Sequence, residues 1–210
     1  MTGAPRFYHV HHAPRSTDIS MGALRRVQRR LAARLDALID WDTFSLDRIV
    51  AAVAAKVGGK ISLHATHWDK SAYTGLTIAT VGPDGKRFLL LYEEDTSGEH
   101  QLLIILHELM HILLGHCPIV PPEELRQQLI DLGLLPREAR PLIYTRLSGT
   151  DLKRAQEYKA NKDNELEAEA GATWAMTRAR QVGTLPPMLG RAFTPEDVAI
   201  ETFLSELGVG

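Results

Sequence analysis

The chain has 210 residues, of which 44% are hydrophobic and 24% charged, with a formal net charge of -2 and one cysteine. That length can bury a sizeable core without a metal or disulfide staple, and the near-neutral charge balance singles out no polyanionic partner. The lone Cys117 excludes an internal disulfide and favours a reducing compartment. There is no apolar leader and no apolar run of the roughly 18 residues that a span requires, so the expectation is a cytoplasmic protein with no membrane partner.

Residues 1–20 carry His9, His11 and His12 between Pro5 and Pro14 but show no periodicity, so they read as a tail. From Ser20 to about Ile39, Leu24, Val27, Leu31, Leu35 and Leu38 recur at helical spacing. The opposite side of that helix carries Arg25, Arg26, Arg29, Arg30 and Arg34, which reads as a solvated face. A second helix is expected from Ser45 to Val57, closed by Gly58 and Gly59, so that 21–58 forms a helical lead-in. Lys60 to His64, Tyr73 to Val81 and Lys86 to Tyr92 read as strands, the last two joined by the turn residues Gly82, Pro83, Asp84 and Gly85. Thr96-Ser97-Gly98-Glu99 has capping-box spacing and opens the next helix, which Gly115 and Pro118 close.

That helix is apolar on every side, so it reads as a central buried element, yet it carries His107, Glu108 and His111. Burying two imidazoles and a carboxylate without partners costs several kcal/mol, and a metal would compensate them. Residues i and i+4 lie about 40° apart around a helix, so both rings aim at one point with Glu108 at the edge of the same face. This is the His-Glu-x-x-His arrangement: two neutral imidazole ligands for zinc, and a carboxylate to take the proton of the attacking water. The metzincin pattern is excluded, because it requires Gly at position 114 and His at position 117, where this chain has Leu114 and Cys117. His116 reads instead as a residue at the helix end or behind the ligands.

Residues 119–150 hold proline-punctuated segments with short helical patterns, read as an inserted helical flap over the cleft. A further helix begins near Asn164. On it Glu165 and Glu169 share a face, whereas Glu167 points roughly 200° away from Glu165. Zinc needs a third protein ligand, taken as Glu165, while Glu169 accepts the outer N–H of a ligating histidine. Glu167 is expected to be a bystander whose replacement changes little. The small residues Ala168, Ala172 and Ala175 allow this helix to approach the His-Glu-x-x-His helix closely. Residues 186–210 are expected to form a C-terminal helical segment.

The run His107-Glu108-Leu109-Met110-His111-Ile112-Leu113-Leu114-Gly115-His116, followed by Glu165-Leu166-Glu167-Ala168-Glu169-Ala170-Gly171-Ala172, resembles the ImmA/IrrE family of metallopeptidases over roughly residues 45–180. The resemblance implies an α+β, mostly helical zincin-like domain over 59–185, with a sheet of about three strands packed on the His-Glu-x-x-His helix. It implies zinc ligated by His107, His111 and Glu165, with Glu108 as general base. It also implies a regulatory protease that cleaves a helix-turn-helix transcriptional repressor. The chain departs from the family pattern at Met110, where Gly is usual, at Gly171, where Phe is usual, and in the long separation of His111 from Glu165.

The expected activity is therefore zinc-dependent endopeptidase. The oxyanion needs a further donor, for which Tyr92, His67 and Tyr158 are candidates. Two other classes compete: a catalytically silent zinc-binding toxin or regulatory module, and a nucleic-acid-binding protein using the arginine helix. An intact Glu108 argues against the first, and the slightly acidic chain against the second.

Overall fold

Leu89, Leu90 and Leu91 are consecutive and all fully buried. Neighbouring strand residues point to opposite faces, so the strand that carries them must be covered on both sides. The computed structural model, which describes residues 21–67, 74–131, 134–135, 162–182 and 200–208, shows what covers it.

Three strands, β1 (Gly59–Thr66), β2 (Gly75–Gly82) and β3 (Gly85–Glu93), form a sheet of order β1-β3-β2. β1 runs parallel to β3, and β2 antiparallel to it through the expected turn, with Gly82 opposite Gly85. The mixed helix-and-sheet architecture and the small three-stranded sheet thus agree with expectation. On one face Leu63, Ala79, Phe88, Leu90 and Tyr92 pack against helices α1 (Met21–Asp36), α2 (Leu46–Val57), α3 (Gly98–Leu114) and α5 (Lys162–Gln181). On the other, Leu76, Ile78, Leu89 and Leu91 pack against α4 (Pro122–Asp131) and the C-terminal α6 (Ile200–Glu206). Fully burying one such aliphatic side chain stabilises by about 1.5–3 kcal/mol, so the two covered faces together make the sheet the centre of the molecule.

Helices α1 and α2 are more than a lead-in. Leu31, Leu35, Ile49 and Val53 lie in the same buried cluster as Leu102, Ile105 and Leu109 of α3. Ser45 caps α2 by accepting from the Arg48 N–H, and Gly58, at φ 66°, ends it. The cap of α3 is shifted by one residue from the expected box. Ser97 takes that role, accepting from the His100 N–H, and the Thr96 hydroxyl lies 2.9 Å from His100 Nδ1. Glu99 is then in the first turn, where it pairs with Arg180 of α5.

Helix α4 confirms helical character in the first part of 119–150, but its Leu125 and Leu129 lie against the far face of the sheet. It therefore does not cover the α3 side, where the cleft was expected. Residues 136–150 of the expected insert, and 186–199 of the expected C-terminal segment, lie outside the described residues, as does the 1–20 tail. Arg87, buried on the same far face, reaches Glu206 of α6 at 2.5 Å and Asp84 at 3.2 Å. That pairing fastens the C-terminal helix to the hairpin. No helix among the described residues is long and apolar enough to cross a membrane.

Candidate metal centre

Helix α3 is buried nearly all round, from Gln101 to Ile112, as its apolar sequence requires. The amide of Gln101 donates to the carbonyls of Glu93 and Glu94, at 3.3 and 2.9 Å, so the end of β3 is stitched to the first turn of α3. One turn and more further on, the His107 and His111 side chains emerge toward α5 with their Nε2 atoms 3.0 Å apart. Glu165, in the first turn of α5, completes the triangle: Oε2 lies 3.6 Å from His107 Nε2 and Oε1 lies 3.7 Å from His111 Nε2.

A tetrahedral zinc with bonds of about 2.0–2.1 Å holds its ligand atoms about 3.3 Å apart. The Nε2–Nε2 separation of 3.0 Å, and the 3.6 and 3.7 Å from each ring to a different Glu165 oxygen, lie on either side of that value. Among the described residues, His107, His111 and Glu165 form one of two groups whose ligating atoms lie within 4.8 Å of one another. The donor set of two imidazoles and one carboxylate is one that zinc takes in catalytic sites, so the residues present fit the metal. His111 is fully buried and His107 is 15% exposed, which leaves the approach on the His107 side.

With both Nε2 atoms directed at one point, the Nδ1 atoms need partners of their own. Glu169, one turn after Glu165, places Oε2 3.6 Å from His107 Nδ1, and its other oxygen accepts from Thr173 at 3.4 Å. Hydrogen bonding to His107 holds the Glu169 carboxyl below its ordinary range, against the opposing effect of burial. The expected pairing of Glu165 and Glu169 on one face therefore describes the arrangement.

Glu167 does point away from the metal triangle, but it is no bystander. Its Oε2 lies 3.4 Å from His116 Nε2, and its Oε1 accepts from Arg30 of α1. The expectation that it is a neutral surface residue is thereby corrected: α1 docks along α5 and brings Arg30 to it. Arg25, Arg26, Arg29 and Arg34 remain exposed on α1. His116 is pushed down to about 4, first by burial and then by the neighbouring His111, with Glu165 pulling the other way.

Glu108 turns from α5 toward the sheet. It is 1% exposed, and its Oε2 accepts from the Thr77 hydroxyl at 2.8 Å. Gly75 sits beneath it. A Cβ there would lie 2.6 Å from Ile104 Cγ2 and 3.0 Å from Glu108 Oε1, so only glycine lets β2 approach α3 at this point. Neither Thr77 nor Gly75 was expected in the site. The available signal was the run Gly75, Thr77, Ala79 at alternate positions, which puts three small residues in succession on one strand face.

The three candidate oxyanion donors separate. Tyr92 is buried in β3, opposite Gly75. His67 is exposed at the end of β1 with Nδ1 2.5 Å from Asp95, and it groups with Glu93 and Asp95 rather than with the metal triangle. Tyr158 lies outside the described residues. A cavity of about 340 Å³, lined among others by His100, Leu103, Thr173, Met176 and Thr177, opens between α3 and α5. Leu103 and Thr173 are each one turn from His107 and Glu169. No protein-family model matches the sequence, and no curated protein or solved structure matches it.

Proposed function

We propose that the protein is a zinc-dependent endopeptidase in which His107, His111 and Glu165 hold the metal and Glu108 is the general base. The observation that carries this reading is the convergence of two Nε2 atoms 3.0 Å apart on a Glu165 carboxylate from a second helix, with the buried Glu108 next to His107 in the same helix. Zinc bound there would supply a Lewis acid for the scissile carbonyl and bring the pKa of a water toward about 7.

The chain's own residues do the rest. Glu108 takes the proton of the attacking water as the C–O bond forms, and returns it to the leaving amine as the C–N bond breaks. The Thr77 hydroxyl holds Glu108 Oε2, and Oε1 lies over Gly75 at the edge of β2. The edge of β2 supplies a place for an extended substrate. The Glu93 N–H donates to the Thr74 carbonyl, so by alternation the N–H and C=O of Gly75 and Thr77 point away from β3. Among the described residues this outer edge is paired only at Ala79, with Ile119. A peptide strand laid along Gly75 and Thr77 would pass Glu108.

The family resemblance supports the same chemistry and adds a substrate class, a helix-turn-helix repressor. The test is incubation of the zinc-loaded protein with unfolded casein and with the repressor-like product of a neighbouring gene. New N-termini from the parent, and none from Glu108→Gln at equal zinc content, are expected. Equal cleavage by the two proteins would remove the mechanism.

A further inference from the structure

Helix α3 ends at Gly115, whose φ of 76° lies in the left-handed region. The His116 N–H donates to the His111 carbonyl at 2.9 Å, and the Gly115 N–H to the Ile112 carbonyl at 3.2 Å. This pair of bonds is a Schellman turn, and it folds the chain back so that the residue after the glycine lies under the last turn of the helix. The consequence is a ring contact: His116 Nδ1 sits 3.3 Å from His111 Nδ1, with the ring planes at 68°.

We propose that His116, Glu167 and Arg30 form a hydrogen-bonded chain that orients the His111 imidazole, so that His116 and Glu167 are positioning residues for the metal centre. This rests on the zinc reading above. The chain has one consistent set of proton positions. If Nε2 of His111 is the ligand, its proton is on Nδ1 and must be donated. His116 Nδ1 is then the acceptor, so the His116 proton is on Nε2, 3.4 Å from Glu167 Oε2. Glu167 accepts it, and its second oxygen accepts from Arg30. Each link is more exposed than the last: the side chains of His111, His116, Glu167 and Arg30 are 0%, 9%, 23% and 61% exposed. The order runs from a fully buried ligand to a guanidinium in water.

The two ligating histidines are thus supported differently. His107 faces a carboxylate directly, through Glu169. On its Nδ1 side His111 meets the His116 imidazole, with the Glu167 carboxylate beyond it, so the charge of Glu167 acts on it at one remove. Removing Glu169 should therefore weaken the metal more than removing Glu167. It follows too that α1, although it supplies no ligand, is tied to the metal centre through Arg30.

The experiment uses the full chain, with zinc affinity measured by chelator competition, the d–d spectrum of the cobalt-loaded protein, and circular dichroism. His116→Leu should weaken zinc by roughly 10–100-fold and shift the cobalt spectrum. His116→Asn, whose Oδ1 can accept where Nδ1 did, should recover most of both. Glu167→Gln should weaken zinc less than His116→Leu, and should add nothing in the His116→Leu background, because the two act through one path. Parent-like affinity and spectrum in His116→Leu, with zinc lost from His111→Ala, would overturn the chain and leave the metal centre standing. Full zinc in His111→Ala would instead remove the metal centre itself. If His116→Leu does not fold, Glu167→Gln decides, and parent-like affinity together with a parent-like spectrum overturns the proposal.

Discussion

Glu108 and Glu165 are both carboxylates in the proposed metal centre, and the structure gives them different neighbours. Glu165 reaches both Nε2 atoms, whereas Glu108 is turned toward β2 and held by Thr77. Replacing Thr77 with Val keeps the shape and removes the donor. The expected outcome is a loss of about 1–3 kcal/mol in denaturant unfolding, from the weakened satisfaction of a buried carboxylate, and roughly tenfold or more in turnover at unchanged zinc content. Unchanged turnover would detach Thr77 from the site. Cys117 gives a second test at this scale. Burial first, and nearby Glu108 second, push its thiol well above the ordinary range. The native protein at pH 8 should therefore react with a disulfide reagent far more slowly than the unfolded chain, as thiol release followed by absorbance would show.

At the scale of elements, Met110 and Gly171 turn two departures from the resembled family pattern into one. A Cβ at Gly171 would lie 2.8 Å from both Cγ and Sδ of Met110, so the methionine of α3 fills the space left by the glycine of α5. Gly171→Phe alone should cost about 3 kcal/mol or more by overpacking, while Met110→Gly with Gly171→Phe should recover a substantial part of that loss. Additive losses, measured by denaturant unfolding, would show that the two positions do not share a site. The sequence made the helix pairing legible because i and i+4 spacing fixes which side chains share a face, for His107 with His111 and for Glu165 with Glu169. It did not reveal Thr77, which meets Glu108 from 31 residues away, nor the partner of Glu167, which comes from 137 residues away. Such contacts depend on how helices and sheet dock, and periodicity carries no information about docking.

For the whole molecule, two buried clusters sandwich the sheet, and the proposed metal centre draws on one of them: α3 and α5 carry the proposed ligands, α1 brings Arg30, and β2 contacts Glu108. The small sheet and the buried α3 were legible from β-branched runs and from an apolar helix. The far-face location of α4 was not, because an amphipathic helix does not state which surface it covers. Since His111 and Glu165 are more than 50 residues apart in sequence, metal bound between them in the native state should stabilise the fold. Stripping zinc should lower the unfolding free energy by about 4 kcal/mol relative to free zinc at a thousand times its dissociation constant. A melting temperature indifferent to chelator would contradict that.

The most direct test of the metal centre is the zinc content of the purified protein and of three variants, by elemental analysis with circular dichroism to exclude unfolding. One zinc per chain is expected in the parent and in Glu108→Gln, and substoichiometric zinc in His111→Ala and Glu165→Ala. Full zinc in a folded His111→Ala protein, or none in the parent after zinc is supplied, would contradict the account.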